Sequence, residues 1–188
     1  MTVRTDSCRI IGGRWRGRKV TFNDAEGLRP STDRVRETLF NWLQAYVAGS
    51  RCLDLFAGSG VLGFEALSRG AADCVFVENN RKTVAGLRQN AESLGAENAE
   101  IIQADALRWL RETEPGQRFD LVFLDPPFAS SLLEKSAAGL ESRGLLAEDA
   151  LVYVEHARGD EVEIPVNWQC LKQKKAGQVI YRLYAKTG

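Results

Sequence analysis

The sequence predicts an α/β domain built around a doubly wound, mostly parallel β-sheet. Between residues 51 and 155, apolar runs with strand character alternate four times with segments of helical periodicity. The apolar runs have few polar interruptions, which is typical of parallel strands that helices cover on both faces. Two further strand-like runs, 168–174 and 179–184, follow each other through a short turn. We therefore expect an antiparallel hairpin at one edge of the sheet.

A small basic extension precedes the main domain, and we place the boundary between residues 1–30 and residues 31–188. The segment 8–22 contains short apolar runs around glycines, a pattern that favours a hairpin or a small irregular sheet over a helix. The total length of 188 residues suits one domain with such an appendage.

Three arginines of this extension are candidate nucleic-acid contacts. If the strand alternates, Arg14, Arg16 and Arg18 share one face and Trp15 lies on the other. Guanidinium forks suit phosphate oxygens, so these arginines are expected to contact a nucleic acid. For Trp15, packing onto the main domain is favoured over stacking on a base.

The charged residues are distributed unevenly although the formal net charge is zero. Six basic residues against one acidic residue give residues 1–22 a net charge of +5, and five basic residues without an acid give the last seventeen another +5. Two basic ends around an acidic centre indicate a polyanion bound at the edges of a site, with solvated surface charge as the alternative. The basic residues assigned to nucleic-acid contact are Arg9, Arg14, Arg16, Arg18, Lys19, Lys174 and Lys175.

A helix is predicted after residue 30, with Ser31 or Thr32 as its N-cap. Apolar residues continue at helical spacing as far as Val47, and Gly49 is expected to end the helix. The apolar stripe is assigned to the core, whereas polar residues of the first turn are candidates to face a ligand cleft. Those polar residues are Thr32, Arg34 and Arg36.

A glycine-rich turn joins the first long strand to a helix in the segment 51–63, RCLDLFAGSGVLG. Its glycines let the backbone approach a ligand closely, and the following helix presents free N–H groups at the same place. The segment lacks the Lys-Ser/Thr pair of a P-loop, and Phe56 replaces the first glycine of a dinucleotide fingerprint. A nucleoside cofactor with an amino-acid tail, its ammonium bound by Asp54, fits better than a pyrophosphate. The alternative is a tight turn without a ligand.

Acidic residues follow the next two strands. Glu78 ends the second strand about twenty residues after the glycine turn, where a carboxylate can accept hydrogen bonds from both ribose hydroxyls. Asp105 follows the third strand and is a candidate partner for an adenine amino group. Because ligands of such sheets lie at the carboxyl ends of the strands, these side chains are expected to share a cleft.

The fourth strand, 119–124, runs into the turn Asp125-Pro126-Pro127-Phe128. Each proline fixes its φ and lacks an N–H, so the backbone after Asp125 is stiff and its carbonyls are free to meet a ligand. A carboxylate, fixed carbonyls and an aromatic ring would form a small polar pocket with a stacking lid. The alternative is an ordinary strand that ends in a Pro-Pro loop.

The composition argues against several classes of protein. The four cysteines are far apart and His156 is the only histidine, which argues against zinc, disulfides and histidine-based catalysis. His156, just past a predicted strand, is assigned to structure or surface. No run of about 18 apolar residues exists, and the first residues lack the apolar core of a signal peptide. We therefore expect a cytoplasmic monomer without a membrane segment or a metal ion.

The strand-end motifs together resemble those of the S-adenosylmethionine-dependent methyltransferases of the Rossmann-like class I. The matching residues are DLFAGSG at 54–60, Glu78, Asp105 and DPPF at 125–128. The DPPF turn is similar to the signature of methyltransferases that act on amino groups. The resemblance implies a seven-stranded sheet and S-adenosylmethionine as the cofactor.

Three flanking segments resemble one bacterial family within this class, the RsmD family. They are RIIGGRWRGRK at 9–19, RPSTDRVRETLFNWL at 29–43 and GQVIYRLY at 177–184. This family methylates the exocyclic N2 of one guanine in 16S ribosomal RNA. The resemblance therefore implies 16S ribosomal RNA, the small ribosomal subunit or an assembly intermediate as the partner.

The resemblance also implies roles for individual residues. The residues that would bind the cofactor are Asp54, Phe56, Gly58 and Gly60 at the methionine portion, Glu78 at the ribose, and Asp105 and Ala106 at the adenine, with Thr32 and Arg34 beside the cofactor or the guanine. The Asp125 carboxylate and the Pro126 carbonyl would accept the two amino hydrogens of the guanine. Phe128 would stack on the base, and Pro127 would contact it. The proton can then leave to water, so no strong base is needed.

Three other functions fit part of this pattern. An adenine-N6 methyltransferase acting on DNA or RNA needs the same pocket, but 188 residues leave no room for a separate DNA-recognition domain. Protein glutamine methyltransferases carry the motif Asn-Pro-Pro-Tyr at this turn, whereas the first position here is Asp125. Loss of Asp125 or Gly58 would indicate a non-catalytic RNA-binding ribosome-assembly factor, and both residues are present.

Overall fold

The computed structural model describes residues 5–23, 32–114, 116–127 and 131–188. Within these ranges it contains a large sheet with helices on both faces and a small N-terminal hairpin. The elements in chain order are β1 (Thr5–Arg9), β2 (Lys19–Asn23), α1 (Asp33–Trp42), β3 (Arg51–Asp54), α2 (Val61–Ser68), β4 (Asp73–Glu78), α3 (Arg81–Leu94), β5 (Ala99–Gln103), α4 (Ala106–Glu112), β6 (Phe119–Leu124), α5 (Leu132–Ser142), β7 (Leu146–Ala157), β8 (Trp168–Ala176) and β9 (Val179–Lys186).

The large sheet has seven strands in the order β5-β4-β3-β6-β7-β9-β8. The strands β3 to β7 are parallel, and β9 runs antiparallel to both β7 and β8. From β3 the chain moves outwards through β4 to β5 and then returns to add β6 and β7 on the other side. Ligands of doubly wound sheets bind at such a reversal of strand order. The predicted fold class is confirmed, including its C-terminal and N-terminal hairpins.

Two apolar layers cover the faces of the large sheet. Phe123 of β6 lies in the layer formed with α1 and α2, where its ring centroid is 6.1 Å from that of Phe40. Its neighbour Val122 lies in the opposite layer, together with Leu110 of α4 and Leu140 of α5. Because helices cover both faces, β6 consists almost entirely of apolar residues. No helix in the described ranges is long and apolar enough to cross a membrane.

The N-terminal hairpin is held against α2 by a buried carboxylate. Glu65 of α2 is fully buried, and it accepts hydrogen bonds from the N–H groups of Ile11 and Gly12, both at 2.8 Å. Ile11 and Gly12 belong to the segment that connects β1 to β2. Apolar residues of the hairpin, Ile10 and Val20 among them, lie in the same core layer as α2.

Two arginines surround the same carboxylate. Arg69 donates from Nε to Glu65 at 2.8 Å, and the fully buried guanidinium of Arg36 in α1 lies 3.7 Å from Glu65. Arg36 also donates to the carbonyl oxygen of Arg9 at 2.9 Å. One network of charged side chains thus joins the N-terminal hairpin, α1 and α2. The hairpin is therefore packed against the rest of the protein.

The prediction that Arg14, Arg16 and Arg18 share one strand face is wrong. Turns, not a strand, occupy the segment between β1 and β2. The reason is close contact with the end of α2: Gly13 has φ +75°, and a Cβ there would lie 1.9 Å from the carbonyl oxygen of Ser68. The backbone must therefore bend at this point, and strand alternation is lost.

α1 is shorter than its apolar pattern predicts. Thr32 is the N-cap, and its Oγ1 accepts a hydrogen bond from the N–H of Val35 at 3.4 Å. The helix gives way to turns at its C-cap Leu43, before the predicted end at Gly49. The N–H of Val47 bonds to the carbonyl of Leu43 at 3.0 Å, so the apolar residues keep helical spacing without a continuous helix.

The C-terminal hairpin has a tighter turn than predicted. Ala176 pairs with Val179, which leaves only Gly177 and Gln178 between the strands. Gly177 has φ +58°, a conformation that two-residue hairpin turns require and glycine adopts readily. Strand β8 forms the outer edge of the large sheet, with β9 between it and β7.

Candidate active site

The parallel strands end at one edge of the large sheet, which we call the carboxyl edge. Asp54 ends β3, Glu78 ends β4, Asp105 follows β5 and Asp125 follows β6. The last parallel strand, β7, carries Glu155 near its own end. The structure therefore brings the predicted site residues of the strand ends to the reversal of strand order, where a ligand crevice is expected.

The glycine loop packs tightly between β3 and α2. Gly60 is the N-cap of α2 with φ +76°, and a Cβ there would lie 2.4 Å from Leu87 and 2.8 Å from Phe64. Gly58 has φ +49°. Phe56, also predicted to bind the cofactor, is half-buried against the layer of α4 and α5. The glycines are thus required by the loop's own conformation and packing, in addition to any ligand.

Glu78 is in direct contact with the glycine loop. Its Oε2 accepts a hydrogen bond from the N–H of Gly58 at 3.0 Å, and its Oε1 accepts one from Asn80 at 2.8 Å. A carboxylate oxygen has two acceptor sites, so each can receive a second donor. Glu78 can therefore order the loop and still accept hydrogen bonds from a ribose.

Asp54 lies beneath the glycine loop and is only 3% exposed. Its Oδ2 accepts a hydrogen bond from the N–H of Gly63 at 3.2 Å. Burial raises the pKa of Asp54 to about 7; the Gly63 bond opposes the rise and the charge of Glu78 adds to it. A nearby cation would restore the charged form, which suits the predicted contact with an ammonium group.

The remaining predicted cofactor residues lie at helix starts. Asp105 is the exposed N-cap of α4, and its Oδ1 accepts a hydrogen bond from the N–H of Arg108 at 2.9 Å. Ala106 is buried in the first turn of that helix. Thr32 and the exposed Arg34 lie at the start of α1. Their ligand contacts stay predictions.

Asp125 has a second carboxylate beside it that the sequence analysis missed. The register of the parallel strands β6 and β7 places Glu155 next to Asp125. The hydroxyl of Tyr153 donates to Oε2 of Glu155 at 2.8 Å. Burial raises the pKa of Asp125 well above its ordinary value, and the charges of Glu155 and then Asp54 raise it further. The sequence signal that could have identified Glu155 is an acidic residue at the end of a fifth predicted strand.

A cleft of about 440 Å³ opens beside the two prolines, between the start of α5 and the segment after β7. Pro126 is buried and Pro127 is exposed. The residues that line the cleft include Pro126, Pro127, Leu133, Glu155, His156 and Val162. Phe128, which is predicted to stack on the base, lies outside the described residues. The cleft therefore adjoins the predicted acceptor turn.

The placement of His156 just past a strand is wrong, because β7 continues to Ala157. His156 is 4% exposed, its Nδ1 is 3.0 Å from the carbonyl oxygen of Ala157, and its Nε2 has no hydrogen-bond partner among the described residues. Burial lowers the pKa of His156. In the described ranges, no cluster of three or more His, Cys, Asp or Glu side chains could hold a metal ion.

Arg18 lies at the opposite end of the sheet, which we call the amino edge. Its guanidinium donates to the carbonyl oxygens of Ser93 and Leu94 at the C-terminal end of α3. This helix starts beside Glu78 and has 14 residues, so its end is about 20 Å from the carboxyl edge. Arg18 is therefore engaged with the protein and remote from the strand ends.

Arg14 is engaged in a similar way. Its guanidinium lies 4.2 Å from the ring centre of Trp15 and donates to Asn98 at 3.4 Å. Trp15 is buried at 6% exposure, which confirms the packing role favoured from the sequence. Like Arg14 and Arg18, the residues Arg9, Arg16 and Lys19 are exposed on or beside the same loop.

The C-terminal lysines, in contrast, lie at the carboxyl edge. β8 runs in the same direction as β7 because both are antiparallel to β9. Lys174 is opposite Tyr181, which is opposite Glu155, so the lysine is two strand spacings, about 10 Å, from Glu155. Lys175 is exposed one residue further along. The structure thus brings only one of the two predicted basic groups to the predicted site.

Comparisons with known proteins give one family for nearly the whole chain. A family model described as conserved hypothetical protein 95 matches residues 8–185. The ribosomal RNA small subunit methyltransferase D of Escherichia coli K12 is 49% identical over 183 residues, which cover 95% of this chain and 89% of that protein. The protein of the same name from Haemophilus influenzae is 47% identical over 178 residues, covering 94% of this chain and 92% of its own length.

A solved structure shares the complete architecture. The putative methyltransferase yhhF from Escherichia coli has a TM-score of 0.89 and 46% sequence identity, with 97% of this chain and 99% of that chain covered. The likeness therefore includes the N-terminal hairpin as well as the large sheet.

Proposed function

This chain belongs to the RsmD family of small-subunit ribosomal RNA methyltransferases, and we propose that it methylates the exocyclic N2 of one guanine in 16S ribosomal RNA. The methyl donor is S-adenosylmethionine. A fold by itself would not assign this activity, because one fold serves many functions. The observation that carries the proposal is the convergence of the glycine loop, Glu78, Asp105 and Asp125 at the carboxyl edge.

The donor groups at this edge fit the chemistry of S-adenosylmethionine, which supplies an electrophilic methyl group when bound. The glycine loop ends at the start of α2, whose first N–H groups can meet the polar tail of a ligand. The carboxylate of Asp54 offers a partner for an ammonium group, and that of Glu78 offers acceptors for ribose hydroxyls. Asp105 and the backbone of Ala106 are assigned to the adenine.

Asp125 and Pro126 activate the acceptor amino group. The lone pair of this nitrogen is delocalised into the guanine ring, so the site must localise it. When the carboxylate of Asp125 and the carbonyl of Pro126 accept the two N–H hydrogens, the nitrogen can become pyramidal and aim its lone pair at the methyl group. Positive charge develops on the nitrogen, and a fixed carboxylate stabilises it by about 3 kcal/mol, as oxyanion-hole donors do with the opposite charge.

The rigid turn after Asp125 is assigned to holding the base. We infer that the guanine leaves its stack and that Phe128 packs on it, an interaction of about 1–3 kcal/mol. The two prolines stiffen the backbone on which this ring is mounted. Correct orientation of two bound reactants can contribute roughly 7–11 kcal/mol in ideal cases.

The RNA partner is assigned to the carboxyl edge, where Lys174 and Lys175 project from the end of β8. Phosphate contacts from lysines would position the RNA without reading its sequence. We infer that the protein acts as a cytoplasmic monomer on 16S ribosomal RNA, the small subunit or an assembly intermediate. The exposed arginine and lysine side chains of the N-terminal loop, Arg9, Arg16 and Lys19, would contact more distant RNA.

The test is transfer of labelled methyl from S-adenosylmethionine to free 16S ribosomal RNA, partly assembled small subunits, mature small subunits and DNA, followed by nucleoside analysis. We expect N2-methylguanosine in one of the ribosomal substrates. Label in N6-methyladenosine would establish the alternative adenine methyltransferase. RNA binding without any transfer would indicate a non-catalytic assembly factor.

A further inference from the structure

Asp125 and Glu155 form a pair of neighbouring carboxylates in the proposed acceptor site. Leu124 of β6 is opposite Val154 of the parallel strand β7, so the next residue of each chain brings these two acids side by side. Adjacent strands are about 4.8 Å apart, which puts the two carboxylates within strong electrostatic contact. Glu155 is 8% exposed and Asp125 is half-buried, so water screens the pair only in part.

The hydroxyl of Tyr153 fixes the orientation of Glu155. Tyr153 and Glu155 are two residues apart on β7 and therefore point to the same face of the sheet. The phenol donates to Oε2 of Glu155 at 2.8 Å. The carboxylate beside Asp125 is thus held in place by a contact within the protein.

Several described ionisable groups belong to elements around the pair. Those on the sheet are Asp54 from β3, Tyr181 from β9 and Lys174 from β8, and those around the cleft are Glu134, Asp160 and Glu161. His156 follows Glu155 on β7 and points to the opposite face, and Arg34 and Arg36 belong to α1, which packs on the sheet through Phe40. Arg36 is bound to Asp33 and Glu65, and Lys174 lies about 10 Å away. Among the described residues, the charges that act on Asp125 are those of the acidic Glu155 and Asp54.

We propose that Glu155 is a positioning residue that makes Asp125 the acceptor of the proton released by the guanine amino group, an inference that rests on the proposed function. In this step the nitrogen forms a bond to the methyl carbon and the sulfur–carbon bond breaks, with its electron pair left on sulfur. The N–H proton passes to a carboxylate oxygen of Asp125, and the N–H electron pair stays on nitrogen. Asp125 later releases the proton to water.

The sequence alone suggested that no strong base is needed and that the proton can leave to water, whereas the second carboxylate favours Asp125 as the first proton acceptor. A like charge beside a carboxylate disfavours its ionised form, so Glu155 makes Asp125 a stronger base. The raised pKa of Asp125 agrees with this effect, with burial as its first cause and Glu155 as its second. Ionised Asp125 is the active form, so the rate should rise with pH through the pKa of Asp125.

The experiment compares single-turnover methyl transfer by wild type and Glu155→Gln across the pH range in which the rate rises. Removing the like charge should move the acid limb of the profile to lower pH by about 1–2 units and reduce the plateau rate about tenfold. Glu148→Gln is the matched control, because Glu148 is exposed on the same strand about 23 Å away. The Glu148→Gln variant should keep the acid limb of the pH profile at the wild-type pH.

An acid limb that stays at the wild-type pH in Glu155→Gln would overturn the inference, whatever the plateau rate. A second measurement does not depend on folding of the variant: titration of the Asp125 side-chain carboxyl in wild type by carbon-13 NMR. We expect a midpoint above the ordinary value of about 3.9, and a midpoint at or below that value would also overturn the inference. If wild type transfers no methyl to guanine at any pH, the proposed function itself fails.

Discussion

The two basic regions of this chain carry the same net charge of +5 but have different places in the structure. In the N-terminal loop, Arg14 packs on Trp15 and Arg18 caps the end of α3. At the C-terminal hairpin, Lys174 and Lys175 are exposed at the carboxyl edge, beside the proposed acceptor site. Both regions are exposed, but two arginines of the first also contact the protein itself, whereas the lysines of the second lie at the strand ends.

The difference shows that local charge density does not tell which basic residues lie near the strand ends. Arginine is suited to both roles because its guanidinium can cap helix carbonyls and stack on indole as readily as it binds phosphate. The deciding quantity is the position of each charge relative to the strand ends. This position depends on the direction in which helices and strands run, which a count of charges does not contain.

The largest expected effect concerns the edge at which the chemistry takes place. Asp125→Asn should reduce methyl transfer by about 10³-fold, because the carboxylate that stabilises the developing charge is lost. Cofactor affinity, measured by calorimetry, should stay within a few fold of wild type. Asp149→Asn, an exposed acid on β7, is the control. Turnover near the wild-type rate in Asp125→Asn would show that the carboxylate at the carboxyl edge takes no part in the reaction.

The next effect tests whether the N-terminal loop is part of the packed domain. Glu65→Gln should lower the free energy of unfolding by about 3 kcal/mol, because it removes the buried negative charge that lies between the guanidinium groups of Arg36 and Arg69. Urea unfolding measures the change. Glu37→Gln, at an exposed position of α1, should differ from wild type by less than about 0.5 kcal/mol. Equal stabilities of the two variants would contradict a structural role for the network.

The comparison between the two basic regions is tested directly by charge reversal. In Lys174→Glu/Lys175→Glu, the slope of log affinity for the RNA against log salt should fall by about 1.4–1.8. Arg16→Glu, an exposed arginine of the N-terminal loop, is the matched variant. An equal fall per residue in Arg16→Glu would show that both edges contact RNA. An unchanged slope in the lysine variant would remove the hairpin from the interface.

The smallest effect concerns Arg18. Arg18→Ala removes the hydrogen bonds to the last carbonyls of α3 and should lower the free energy of unfolding by about 1–2 kcal/mol. Its RNA affinity should keep the wild-type salt slope. Arg16→Ala should leave stability within about 0.5 kcal/mol of wild type. A reduced salt slope together with unchanged stability in Arg18→Ala would indicate that Arg18 contacts RNA and does not stabilise the fold.

Much of the site follows from short stretches of sequence. The glycine loop, Glu78, Asp105 and Asp125 were all found from one rule, a polar or glycine residue at the end of an apolar run. Glu155 follows the same rule, but no recognisable motif surrounds it in the sequence. His156 was misplaced because the end of β7 depends on pairing with β9, which begins more than twenty residues later. Roles in cofactor and RNA binding stay predictions for all of these residues.

The sequence by itself determined the order of strands and helices and the residues at the strand ends, because hydrophobic periodicity and turn chemistry act over a few residues. Only the tertiary structure decided which of these residues meet. The register of β6 and β7 places Glu155 beside Asp125 although 29 residues lie between them. The direction of α3 separates the N-terminal arginines from the carboxyl edge, because a crossover helix starts at one edge of the sheet and ends at the other.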